Sequence, residues 1–243
     1  MNYTCRVDET DYARFEPKKE ALLKMARIEQ LGISVLDLHT NQFLLYVSPN
    51  YTEWDDATLK QFEQENNIDF ILRLLHPKDI SYAKQAQAMC YNYLSKLPAS
   101  THSDYTLLLD LRVLHPKGYY YRVVHQSTVL EHDRNGTIWL LYCKLELIDK
   151  QVDYLPAKRY LIHTPTKKQQ LFNGSDGDNS RFLTKQELEI SRLVAKGFES
   201  QEIARMQFIS TNTVRNHRQN ILNKTATNSM SQAINYLQKL GLI

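Results

Sequence analysis

Apolar side chains recur at every second position through much of residues 106–148. Over 106–114, Leu107, Leu109, Leu111 and Val113 share one face, and Leu108, Asp110, Arg112 and Leu114 share the other. That alternation predicts a strand buried on at least one side. The turn His115-Pro116-Lys117-Gly118 separates it from an aromatic and β-branched run, 119–130, and a second turn at 132–136 leads to a third run, 137–148. Three such runs joined by short turns predict an antiparallel meander. Two shorter β segments, 33–38 and 43–48, flank the turn-like His39-Thr40-Asn41. Between the two β groups the signals are helical, most clearly over 77–97. There Pro77 suits the first turn, Asp79 suits the positive end of the helix dipole, and Ile80, Ala83, Cys90, Leu94 and Leu97 form an apolar stripe that Gln87 interrupts.

The period changes in the last quarter of the chain. Thr184 and Glu187 have capping-box spacing, which starts a helix at Lys185 with Ile190, Leu193 and Val194 inward and Gly197 at its end. A short helix over 201–206 carries Ile203 and the small Ala204. Ser210 then caps a third helix that runs to about Lys224. On this third helix Val214, Ile221 and Leu222 face a core, which leaves Asn212, Arg215, Asn216, Gln219 and Asn223 outward. A fourth helix, 229–240, has Met230, Ala233, Ile234, Leu237 and Leu240 as its apolar stripe. Two short helices joined by a tight turn, the second capped and basic, form the helix-turn-helix arrangement that seats a helix in the major groove. Arg donates bidentately to guanine, and Asn or Gln pairs bidentately with adenine.

Length and composition sharpen the division. With 243 residues, 42% apolar and 23% charged, the chain suits one large domain or two smaller ones at roughly 150 residues per domain, and two is the better fit. The Asn-, Gly-, Ser- and Asp-rich stretch 169–181 marks the boundary. The net charge of +3 is unevenly placed: residues 182–243 hold eight basic and four acidic side chains, the rest of the chain is at −1, and no acid follows Glu202. That is the balance of a surface facing a polyanion. No apolar run approaches the roughly 18 residues of a membrane span, and the acidic start lacks the features of a secretory signal. The three cysteines lie far apart with no CxxC pair, which points to a reducing cytoplasm and no zinc site.

Two family resemblances follow. The order strand, strand, short helices, long helix and three strands, with the phrases HPKD and LHPKGYYYRV, resembles a PAS domain over residues 28–148. Lys117 stands where that family has an Asp in its turn, Tyr121 stands near its expected aromatic, and Cys90 lacks the Asn-Cys-Arg context of flavin-binding members. No cofactor is expected. The phrases LTxxE, AxGxxxxEIA and ISxxTVRNHxxNILxK, at residues 183–224, resemble the LuxR-type DNA-binding domain. That resemblance implies that Arg215, Asn216 and Gln219, together with the outward Asn212, face base edges. It also implies that Thr213, His217, Asn220 and Lys224 lie near the phosphate backbone. Gln186, Glu199, Gln201 and the run Lys224-Thr225-Ala226 depart from the family pattern, and the loss of a Lys at 201 removes a phosphate contact.

The expected fold is α+β: a helical extension over 1–27, a PAS-like antiparallel sheet with flanking helices over 28–148, a linker over 149–181, and an all-α four-helix helix-turn-helix domain over 182–243. The expected function is a bacterial transcription regulator, cytoplasmic and nucleoid-associated, that binds double-stranded DNA as a homodimer. Its PAS-like half is expected to sense a small-molecule ligand or to dimerise, and RNA polymerase is a further candidate partner. A sigma factor and a ligand-free PAS dimerisation module are the alternatives; the β-rich first half lacks the helical region a sigma factor requires. No phosphate-binding, zinc-protease or nucleophile-elbow phrase occurs, so no enzyme is expected.

Overall fold

The long alternating runs become neighbours in one sheet. The computed structural model describes residues 5–47, 55–150, 158–170 and 183–243, and it divides into two units, Met1–Gln170 and Leu171–Ile243. In the first unit the strands are β1 (Ile33–Asp37), β2 (Gln42–Val47), β3 (Tyr105–Leu114), β4 (Tyr120–His132), β5 (Ile138–Lys150), β6 (Lys158–His163) and β7 (Lys168–Gln170). They pair antiparallel in the order β2-β1-β5-β4-β3-β6-β7. The meander β3-β4-β5 accepts β1 on its far side, which is the PAS-like arrangement that the cadence of the chain predicts.

The linker expected over 149–181 needs correction. Lys150 still belongs to β5, and β6 and β7 extend the sheet from the edge of β3, with Leu161 opposite Leu107 and Ile162 opposite Thr106. Leu161 and Ile162 are buried, so the apolar pair within this mixed-composition stretch finds cover on a strand edge that would otherwise stay unpaired. The polar stretch 171–181 lies outside the described residues.

Helices cover the sheet. Asp8 caps α1 (Glu9–Glu29) through a box with Asp11, and Phe15 and Ala26 pack on Ile33, Val35, Leu45, Trp139 and Leu140. Asp37 pins this helix to the sheet: its carboxylate accepts from the Tyr12 hydroxyl at 2.7 Å and from Trp139 Nε1 at 3.0 Å. A second apolar cluster joins Leu36 and Phe43 to Phe62 of α2 (Asp56–Glu65) and Phe70 of α3 (Ile68–Leu74). Helix α4 (Pro77–Leu94) ends three residues before the expected Leu97 and buries Ala83, Ala86, Cys90 and Leu94. His76 caps it by accepting from the Lys78 N–H at 3.2 Å. A 3-10 turn, Ala99–Asp104, leads into β3.

The face of β3 that carries Asp110 and Arg112 is buried too, which alternation alone leaves open. Arg122 donates to Asp110 through Nε at 3.0 Å and Nη2 at 2.6 Å. Arg112 grips Asp79 in the same two-pronged way. In the β3-β4 turn Gly118 takes φ 86°, and the His115 ring accepts from the Lys117 N–H at 2.9 Å, which caps the turn.

Candidate nucleic-acid interface

The second unit is built from four helices: α5 (Lys185–Ala195), α6 (Ser200–Met206), α7 (Thr211–Thr225) and α8 (Met230–Lys239). The capping box at the start of α5 is reciprocal: Glu187 N–H donates to the Thr184 hydroxyl at 3.2 Å, and Thr184 N–H donates to the Glu187 carboxylate at 2.7 Å. Gly197, at φ 91°, ends the helix. Glu202 accepts from the Glu199 N–H at 2.8 Å and so secures the start of α6. Ile190, Leu193, Ile203, Ala204, Val214 and Ile221 are buried, with Ala233, Leu237 and Leu240 of the α8 stripe; Met230 and Ile234 are half-buried. The small Ala204 fits where α6 and α7 approach.

Ser210 caps α7 by accepting from the Thr213 N–H at 3.0 Å. At about 100° per residue, Asn212, Arg215, Asn216, Gln219 and Asn223 fall within an arc of about 100°. All five are exposed, while Val214, Ile221 and Thr225 occupy the opposite side and are buried. Thr213, His217, Asn220 and Lys224 form a neighbouring stripe, centred about 115° away. Thr213, His217 and Lys224 are half-buried and Asn220 is exposed. The helix therefore presents one fully exposed amide-and-guanidinium stripe beside a second, partly sheltered one.

Some of these side chains are already engaged. Gln219 Nε2 donates to Asn223 Oδ1 at 3.1 Å, an i,i+4 contact that holds both amides along the exposed stripe. Lys224 Nζ lies 2.8 Å from Glu187 Oε2, so this cation ties α7 to α5. Arg218, part of the basic excess, donates to Ser200 Oγ at 2.9 Å at the start of α6. Burial pushes the Glu187 carboxyl up, but Lys224 and the Thr184 N–H outweigh it and hold the group below the usual carboxylate range.

Three features here escape a reading by apolar period. Thr225 is buried, not Leu222, which is half-buried; the Thr225 hydroxyl donates to the Ile221 carbonyl at 2.7 Å, and this back-bond lets a polar residue occupy the core side. Tyr236 of α8 is buried beside the expected stripe. Phe208, in the turn between α6 and α7, is 95% exposed at φ 54°. The acid-free tail after Glu202 signals the charge of this surface, but nothing in the sequence signals which cations the scaffold binds.

Residues 181–237 match the model of the bacterial regulatory proteins of the luxR family. Among curated proteins, the oxygen regulatory protein NreC of Staphylococcus carnosus (strain TM300) is 39% identical over 69 residues, 28% of this chain and 32% of its own length. The chain thus spans about a third of that relative. Among solved structures, transcription factor GerE is 36% identical and covers 26% of this chain and 94% of its own, with a TM-score of 0.25. The Vibrio cholera VqmA-ligand-DNA complex is 18% identical and covers 91% of this chain and 89% of its own, with a TM-score of 0.30.

Proposed function

We propose, from the premise that the C-terminal domain belongs to the luxR family of bacterial regulatory proteins, that this chain is a sequence-specific DNA-binding transcription regulator. One observation carries the reading: α7 exposes Asn212, Arg215, Asn216, Gln219 and Asn223 on a single stripe, with its apolar residues on the other side. Arg215, Asn216, Gln219 and Asn212 read base edges; Thr213, His217, Asn220 and Lys224 contact the phosphate backbone. The protein acts as a homodimer on a two-fold-related site, with RNA polymerase as the machinery it influences. The PAS-like domain is its sensor, and a small-molecule ligand shifts the dimer or releases the DNA-binding domain.

Such a regulator works in the cytoplasm at the nucleoid, without a cofactor and without catalysis. Among the described residues no helix is long and apolar enough to cross a membrane. The test is binding of the full-length protein and its Arg215→Ala variant to pooled bacterial promoter fragments, followed by anisotropy across a salt series. Selective binding that Arg215→Ala weakens supports the reading; a protein that selects no fragment, as full chain or as residues 182–243, refutes it.

A further inference from the structure

The apolar stripe of α4 is broken by Gln87, and the interruption faces open space. Between α3, α4 and the sheet lies a cavity of about 960 Å³, within the range of small-molecule sites. Its exposed lining residues Arg6, Asp69 and Lys84 are charged. A narrower compartment of about 100 Å³ adjoins it, and the two share Leu36, Ile68, Leu72, Gln87, Ser127 and Leu141 as walls.

His125 of β4 lines this inner compartment among Leu109, Leu111 and Val123. Its Nδ1 is buried and finds no hydrogen-bond partner among the described residues. Burial pushes the imidazolium down to about 4, so the ring is neutral near pH 7 and offers one donor and one acceptor. Gln87, half-buried, makes no side-chain hydrogen bond among the described residues either. Ser127 is different, because its hydroxyl is engaged with the Cys143 thiol. Lys144 also borders the inner compartment, but it is ion-paired with Glu146 at 2.6 Å. A buried polar atom without a partner costs free energy in the empty protein, and a ligand that supplies the partner recovers it. A charged ligand would lose its hydration there, and the cation at the border, Lys144, is already paired with Glu146 and offsets little of that loss.

We infer that this cavity takes an uncharged small organic molecule whose inner end hydrogen-bonds with Gln87 and His125. The inference rests on the reading of the PAS-like domain as a sensor, and it names the ligand class and the two residues that recognise it. The charged residues of the wider compartment select nothing at the inner end; the unpartnered imidazole and amide set the chemistry.

The probes are phenylnaphthylamine, which is uncharged and carries one N–H, and anilinonaphthalene sulfonate, the same frame with an added anion. Each is titrated by fluorescence into the full-length protein without DNA. The uncharged probe binds about tenfold tighter than the sulfonate, and His125→Leu and Gln87→Leu each weaken it about tenfold. The melting temperature of the unliganded His125→Leu variant stays level or rises, because the substitution removes a buried nitrogen without a partner. Equal or tighter binding of the sulfonate, no binding of either probe, or variants that bind as the parent does would overturn the inference. So would a fall in melting temperature with unchanged affinity, which marks a packing role. The two substitutions lie on different elements, so a folding failure in one leaves the other to decide. Since no DNA is present, a negative result here stands apart from failure to select promoter fragments.

Discussion

Lys224, in the last turn of α7, reaches back to Glu187 in the first turn of α5 with Nζ 2.8 Å from Oε2. The same carboxylate oxygen accepts from the Thr184 N–H, so one side chain caps a helix and anchors the far end of the helix proposed to read DNA. Position on that helix is thereby coupled to the capping chemistry of another.

Glu187→Ala is expected to destabilise the C-terminal domain by about 1–3 kcal/mol, because it removes the acceptor of the Thr184 N–H and the ion-pair partner that ties Lys224 to α5. The Glu187 carboxyl sits below its ordinary value in the folded protein, so its contribution is present above the unfolded-state pKa and is lost as pH falls through the folded-state pKa. Thermal unfolding of the full chain between pH 7 and acid checks both points. Glu187→Gln is expected to flatten the acid limb of the C-terminal transition.

Substitutions in the two stripes of α7 separate by the kind of loss. Arg215→Ala, Asn216→Ala or Gln219→Ala should each cost about 1–3 kcal/mol on the selected site and relax preference at one base position. His217→Ala should weaken binding to all fragments about equally, as a backbone contact does. Lys224→Ala should lower stability along with affinity, because Glu187 holds this cation in the free protein. Anisotropy on the selected fragment and on single-base variants distinguishes these patterns.

Ala226 ends α7 in the left-handed region at φ 52°, where a Cβ is unfavourable. Ala226→Gly is expected to stabilise the C-terminal domain by about 1 kcal/mol, seen as a higher melting temperature, with DNA selectivity unchanged. A lower melting temperature would contradict this account of the helix end.

The buried pair Asp79–Arg112 joins the start of α4 to β3. Asp79→Ala removes the counter-charge of the buried guanidinium and should cost about 3–5 kcal/mol in urea unfolding, and adding Arg112→Met should recover part of that loss. The recovery distinguishes the penalty of an unpaired charge from loss of packing.

Cys5, Cys90 and Cys143 are all buried, and burial pushes their thiols up to about 11, 12 and 12. A thiol reagent at neutral pH is expected to label none of them at an appreciable rate until the protein is unfolded, as counted by mass spectrometry.

Period and punctuation made much of this protein legible. Two-residue alternation over 106–148 specifies the meander, since only one register buries each apolar face. The stripes and caps at Thr184, Ser210 and Gly197 specify the helices of the C-terminal domain, because cap chemistry acts over three or four residues and is local by nature. The outward face of α7 was legible for the same reason: a helix converts spacing directly into direction. Tertiary structure decided what depends on distant partners. Strands β6 and β7 exist because β3 has an edge to offer, which no local pattern in 158–170 announces. Asp79 reads as a dipole-stabilising acid until Arg112 closes on it across the fold. Lys224 and Arg218 count as surface charge in the sequence, yet Glu187 and Ser200 draw both into the scaffold. Gln87 breaks a stripe in the sequence, and only the placement of β4 sets His125 against the same cavity. Hydrogen bonds and ion pairs between residues far apart in the chain are set by packing geometry, and that geometry is a property of the assembled layers, not of any one segment.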